Sequence, residues 1–246
     1  MTPNLLPWLT VGVLLIAFLY SSVGHAGASG YIAVMTLFGL APEVIKPTAL
    51  VLNILVATIG TWQFWRAGHF RWEAFWPFAV LAIPAAFIGG YLNLPAPIFK
   101  IVVGIVLLLS ALRFLVDPRE AAVTRLPARP VAIVVGGLLG LLAGLTGTGG
   151  GVFLTPIMIL MRWAPTKVAS ATSVLFILCN SIAGLLGNLS ATRSFPTFAL
   201  ILAAAAIVGG TLGSYLGSQR FSPLLIKRLL AAVMIIAGLK LIGLAF

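Results

Sequence analysis

The chain has 246 residues, 61% of them hydrophobic and only 8% charged, with fifteen Lys and Arg against four acids and a net charge of +11. Soluble domains carry about 25% charged residues, so these few charges cannot coat a globule of this size, and a water-soluble protein is excluded. At about 20 apolar residues per helical crossing of a bilayer core, the chain holds at most about ten spans: it reads as an all-α polytopic membrane protein with almost no extramembrane domain.

Breakers divide the chain into apolar runs. The first, Leu5 to Ser22, has no Lys or Arg before it and no convincing small-residue cleavage site, so it reads as a retained membrane segment rather than a cleaved signal peptide. It stops at Gly24-His25-Ala26-Gly27-Ala28-Ser29-Gly30. A short run, Tyr31 to Leu40, follows and ends at Ala41-Pro42; then come Pro47–Trp65, Ala74–Leu92 and Pro97–Val116. After a polar stretch from Asp117 to Pro130 the pattern restarts. Val131 to Leu145 stops at Thr146-Gly147-Thr148-Gly149-Gly150-Gly151, and the short run Val152–Met161 ends at Ala164-Pro165. Val168–Leu186, Phe195–Leu216 and Pro223–Phe246 complete the chain.

The halves match in order. Gly27-Ala28-Ser29-Gly30 answers Gly147-Thr148-Gly149-Gly150, and Ala41-Pro42 answers Ala164-Pro165. Ala85-Ala86-Phe87-Ile88-Gly89-Gly90 answers Ala205-Ala206-Ile207-Val208-Gly209-Gly210. Lys100 and Arg113 share the spacing of Lys227 and Lys240. The chain therefore divides into a first membrane repeat (1–116), a cytoplasmic linker (117–130) and a second membrane repeat (131–246). If every segment crosses, Lys46, Lys100, Arg193 and Lys240 fall on one face and the other eleven cations on the opposite one. The positive-inside rule makes the richer face cytoplasmic and puts both termini outside. Five segments per half then invert the second repeat relative to the first, the pattern expected of secondary transporters.

The two glycine stretches are the candidate site. Neither contains Lys, Arg, Asp or Glu, and each precedes a run of ten residues, which rises only about 15 Å as a helix. Irregular backbone at that depth persists only where protein buries it or a wet cavity lines it. Helices restarting at Ser29–Tyr31 and Gly150–Val152 would aim free N–H groups and positive dipole ends toward the midplane, making an anion site without a buried cation. On this reading His25, Gly27, Ser29, Gly30, Thr146, Gly147, Thr148, Gly149, Gly150 and Gly151 line the substrate, with His25 as anion donor or proton carrier. Asn53, Asn180, Thr172 and Ser173, in the third segment of each half, are further candidates; the alternative for each is an ordinary interhelical hydrogen bond. The alternative for the breaks is tight helix crossing. That reading suits Gly136-xxx-Gly140-xxx-Gly144 and Gly209-xxx-Gly213-xxx-Gly217 better, which are packing stripes and candidate homo-oligomer faces.

Other classes find little support. Glu43, Glu73, Asp117 and Glu120 all lie at segment ends or in the linker, so a cation path built on buried carboxylates is not indicated. The lone Cys179 makes neither a disulfide within the chain nor a cysteine metal site. The cations lie between apolar runs, which indicates membrane topology and not nucleic acid. No Walker Lys-Ser/Thr follows either break, and no cofactor or metal is called for. Trp62, Trp65, Trp72 and Trp76 read as an interfacial belt near the cytoplasmic boundary, and His69 as a loop residue. Gly27-Ala28-Ser29-Gly30 spells the G-x-S-G of intramembrane serine proteases, but a dyad needs a histidine on another helix, and only His25 and His69 exist.

The second half carries a more specific pattern: Gly147-Thr148-Gly149-Gly150-Gly151, then Pro156, Ala164-Pro165 and Ala171-Thr172-Ser173. It resembles the TauE/SafE sulfite exporter (TSUP) family of bacterial and archaeal permeases, with its G-x-G-G-G-x(4)-P and A-x-T-S segments. The first half has a worn copy, Gly27-Ala28-Ser29-Gly30-Tyr31, with Thr36 where the proline would fall. The resemblance implies a plasma-membrane permease, not an enzyme, for sulfite, organosulfonates such as sulfoacetate, or related sulfur or carboxylate anions. It implies alternating access, the two halves rocking around the breaks; a passive anion channel and a membrane component of a larger assembly are the alternatives.

Overall fold

The computed structural model describes residues 5–92, 108, 111–112, 115, 124–193 and 197–243. Among these residues there are nine α-helices and no strand. In the first half they are α1 (Leu6–Ser22), α2 (Ala28–Leu37), α3 (Pro42–Arg66) and α4 (Trp72–Tyr91); in the second, α5 (Arg129–Thr146), α6 (Gly151–Leu160), α7 (Thr166–Thr192), α8 (Phe198–Tyr215) and α9 (Pro223–Gly243). The run expected over Pro97–Val116, with Lys100 and Arg113, lies almost wholly outside the described residues, as do Asp117 and Glu120.

Sequence punctuation sets these bounds. Proline opens α3 and α9 and sits in the first turn of α1 and α5, where its missing N–H costs nothing. Left-handed glycines end α5 and precede α2 and α6. By length and composition, α3, α4, α5, α7 and α8 (the last extended by a π-helical turn, Leu216–Arg220) can each cross a membrane; α1, α2 and α6 are shorter apolar helices. Large apolar side chains such as Trp8, Leu15, Leu138 and Leu200 point outward, as a surface bathed in lipid requires. Trp62, Trp65 and Trp72 are exposed together near the α3–α4 connection.

Without a hydrophobic drive between helices in lipid, close backbone approach does the packing. Gly136, Gly140 and Gly144 of α5 lie on the carbonyls of Phe78, Ala82 and Ala86 of α4. Gly209, Gly213 and Gly217 lie on those of Leu14, Phe18 and Ser22 of α1. A methyl group at any of these six places would run into backbone. This corrects one expectation: the two Gly-xxx-Gly faces are filled by helices of the same chain and are not free to bind a second copy.

The partners cross between halves. The helix α4 pairs with α5 and α7, α1 with α8, and α3 with α7 and α8. Each half thus lends its fourth helix to the other. Of the five helices long enough to span, α7 is the most enclosed, with 78% of its apolar stretch buried against 33% for α5, and both glycine breaks lie along it.

Candidate substrate site

Two short irregular stretches interrupt the bundle, and their backbones match. In the first, Gly24 (φ +80°) and Gly27 (φ +103°) take left-handed conformations; in the second, Gly147 (φ +72°) and Gly150 (φ +81°) do so, with Gly149 (φ +74°) between them. Gly27 and Gly150 are the N-caps of ten-residue helices. Gly24 and Gly147, Gly27 and Gly150, and Ala41 and Ala164 are each separated by the same 123 positions. The breaks therefore correspond as Gly24-His25-Ala26-Gly27 to Gly147-Thr148-Gly149-Gly150, three residues away from the pairing that letter matching suggests. Under this register His25 stands where the second half has Thr148, and Pro156 faces Ala33, not Thr36.

The correction moves two expected site residues. The first short helix restarts at Ala28, so Ser29 and Gly30 lie inside its first turn and not in the break. Both face α1: Ser29 Oγ donates to Tyr20 Oη at 3.1 Å, and a side chain at Gly30 would meet Ile16 and Tyr20. His25 Nε2 is bonded instead to Thr155, so Ser29 and His25 are not set as nucleophile and base.

The other expected residues converge. His25 is buried, and its Nε2 lies 2.9 Å from Thr155 Oγ1 of α6. Asn53 of α3 is buried and donates from Nδ2 to Thr148 O (3.4 Å) and Ser181 Oγ (3.2 Å). Ser170 Oγ of α7 donates to Val23 O, at the end of α1, at 2.8 Å. Every one of these bonds joins one half to the other. Gly149 lies against Ile177, Asn53 and Ser181, and Gly151 against Ile177. Ser170 and Ile177 are seven residues apart, so the breaks touch α7 about 10 Å from each other along its axis. Thr146 closes α5, donating from Oγ1 to Leu142 O (2.7 Å), with Thr148 Oγ1 2.8 Å from its hydroxyl.

Two features give this region binding chemistry. Neither α2 nor α6 has a side-chain cap at its N-terminus, and the first residues of both are buried. Their leading N–H groups have no partner within the helix and carry its positive dipole end. Thr172, Ser173 and Asn180 of α7 are buried, and Thr172 Oγ1, Ser173 Oγ and both amide atoms of Asn180 have no hydrogen-bond partner among the described residues. A buried polar atom left unpaired costs about 1–3 kcal/mol, so such a cluster is not neutral packing. Among the described residues no group of three or more His, Cys, Asp and Glu is placed to hold a metal ion.

Sequence reading alone missed Thr155, Ser170, Ser181 and Lys46. The 123-residue register does not find Ser170 or Lys46, since it pairs Lys46 with Ala169 and Ser170 with Pro47; each shows only in space, beside the opening glycine of the opposite half's break. Thr155 and Ser181 carry no signal except as partners demanded by a buried histidine and a buried amide.

The profile described as "Sulfite exporter TauE/SafE" matches residues 9–241. The chain belongs to the TauE/SafE sulfite exporter family. It is 37% identical over 239 residues to the "Probable membrane transporter protein y4hK" of Sinorhizobium fredii, covering 95% of this chain and 97% of that protein. It is 27% identical to the "Probable membrane transporter protein YjnA" of Bacillus subtilis (93% and 96% covered) and 26% identical to the "Probable membrane transporter protein MJ0441" of Methanocaldococcus jannaschii (96% and 94%). No solved structure matches the chain. This TauE/SafE member is a membrane permease, not an enzyme, with relatives in bacteria and archaea.

Proposed function

We propose that this permease carries small sulfur-containing anions, such as sulfite or organosulfonates, by alternating access around the two glycine breaks. The observation that carries the reading is the pair of buried, uncapped helix N-termini at Gly27 and Gly150, set off by left-handed glycines. Sulfonate and sulfite oxygens accept hydrogen bonds from such N–H groups, and Thr172, Ser173 and Asn180 add neutral donors beside them. We read residues 1–116 and 131–246 as inverted repeats joined by a cytoplasmic linker, in a plasma membrane with both termini outside.

The packing supports one refinement of the motion. The glycine-to-carbonyl contacts weld α4 to α5 and α1 to α8, so the moving bodies mix helices of both halves. The bonds that change on opening are the few that meet at the breaks: His25 to Thr155, Asn53 to Thr148 and Ser181, and Ser170 to Val23.

The test is flux of sulfite and sulfoacetate into proteoliposomes of the purified protein, with counterflow, and with taurine, sulfate and Na⁺ as comparators. Saturable, counterflow-stimulated flux of a sulfur anion is the expected result. Flux without counterflow makes the protein a channel. No anion flux from folded, inserted protein rejects the substrate class.

A further inference from the structure

We propose that Lys46 is the charge-selecting residue of this site, a resident ammonium at the second break. The inference rests on the anion reading above and goes beyond it by naming the group that supplies the charge. Lys46 lies in the second turn of α3. Its Cγ is 3.0 Å from where a Cβ on Gly147 would stand, so its stem covers the opening residue of the second break. At the first break the residue over Gly24 is Ser170, one position beyond Ala169, the register counterpart of Lys46; its backbone and Cβ cover Gly24 and its hydroxyl donates to Val23 O. Two breaks of like backbone thus meet the opposite long helix through one neutral and one cationic side chain.

Lys46 Nζ donates to Gly90 O at 3.4 Å, near the end of α4. One long bond leaves an ammonium with three donors short of acceptors. Among the described residues no acid pairs with it: Glu43, one turn earlier on α3, is exposed and makes no ion pair with it. Lys46 is half-buried, one turn inside the start of a spanning helix, and cations within spanning helices are costly and rare. Independently, Thr172, Ser173 and Asn180 present buried, unpartnered donors on α7, the helix that both breaks touch. Those donors recognise anion oxygens without registering net charge; Lys46 does the latter.

The competing role is structural, since a lysine near a helix C-terminus also stabilises carbonyls. Lys167, near the start of α7, does this to Ser218 O at 3.2 Å; it stands three residues before Ser170, toward the first break and not the second, and serves as the control. In proteoliposomes with sulfite and sulfoacetate as probes, Lys46→Gln removes the charge and keeps a polar amide, one atom short of the lysine's reach to Gly90 O. It is expected to raise the half-saturation concentration about tenfold or more, the worth of a charge-assisted hydrogen bond. Lys46→Arg should stay near wild type, and Lys167→Gln should leave half-saturation unchanged. Equal half-saturation for Lys46→Gln and a transporting wild type overturns the proposal and leaves the anion reading standing; a wild type that carries no anion overturns both. If Lys46→Gln does not fold, Lys46→Cys in a Cys179→Ala background is labelled after folding with an aminoethyl or a methyl methanethiosulfonate. Tighter half-saturation with the ammonium label supports the proposal, and equal values for the two labels overturn it.

Discussion

The two breaks share a backbone and differ in what surrounds it. Gly24 and Gly147 have nearly the same φ, yet a Cβ on Gly24 would lie 2.6 Å from the Cα of Ser170, whereas one on Gly147 would meet the flexible stem of Lys46 at 3.0 Å. The first break is clamped by backbone and the second is covered by a side chain that can move. Conformation is thus duplicated along the chain while rigidity is not: two stretches of like backbone are held unequally.

The sharpest way to break this comparison is alanine at both opening glycines. Both variants suffer the left-handed strain of a non-glycine residue, about 1–2 kcal/mol. Gly24→Ala adds a backbone collision that cannot relax and should cost about 3 kcal/mol or more in total, while Gly147→Ala should stay close to the strain alone. Thermal unfolding in detergent reads the difference, and equal losses would show that the two breaks are equally held.

The next effect concerns the bonds that join the breaks to the long helices. Asn53→Leu removes donors to Thr148 O and Ser181 Oγ and leaves the buried Thr148 carbonyl unpaired, a loss of about 2–3 kcal/mol. Ser170→Ala removes one neutral bond to Val23 O and should cost about 1 kcal/mol. If the Ser170 variant is the less stable, the first break and not the second is the one anchored by its hydrogen bonds.

These residues also show what the sequence could and could not carry. Composition and breakers placed nearly every described helix, because apolar runs bounded by glycine and proline allow little else in a bilayer. The glycine stripes on α5 and α8 were legible as packing faces, but not which helix they meet: helix exchange between halves is a long-range choice with no local signature. The register of the repeat misled for a physical reason. Gly27-Ala28-Ser29-Gly30 looks like Gly147-Thr148-Gly149-Gly150, yet φ, not letter identity, defines the break, and the left-handed positions are Gly24 and Gly27. Buried Asn53, Asn180, Thr172 and Ser173 were visible as polar residues in apolar runs; that Asn53 is bonded while Asn180 is not depends on which helices adjoin them.

A smaller effect tests the side chains within the breaks. His25→Thr gives the first break the residue that Thr148 supplies to the second. Threonine is too short to keep the bond to Thr155, so the cost should be one buried hydrogen bond, about 0.5–1.5 kcal/mol, with the fold retained. A loss as large as that of Asn53→Leu would mean that His25 is a principal tie between the halves.

The smallest effect lies outside the breaks, where the loop between α3 and α4 meets the end of α8. His69 Nε2 donates to Ser218 O at 3.1 Å, and Lys167 Nζ donates to the same carbonyl. Partial burial, with Lys167 adding to it, holds the His69 pKa below its ordinary value, although the bond to Ser218 opposes the shift. A histidine whose folded pKa is depressed binds its proton more readily when unfolded, so stability rises with pH between the depressed value and about 6.5. Acidification through that window should lower the melting temperature slightly, because a second cation then shares one carbonyl with Lys167. His69→Gln keeps a donor but cannot titrate, and its melting temperature should vary less between pH 5 and 8 than that of the wild type. Subtracting the two curves separates His69 from His25, which both proteins retain. Parallel curves would show that His69 does not carry the acid sensitivity and would leave the loop contact a fixed hydrogen bond.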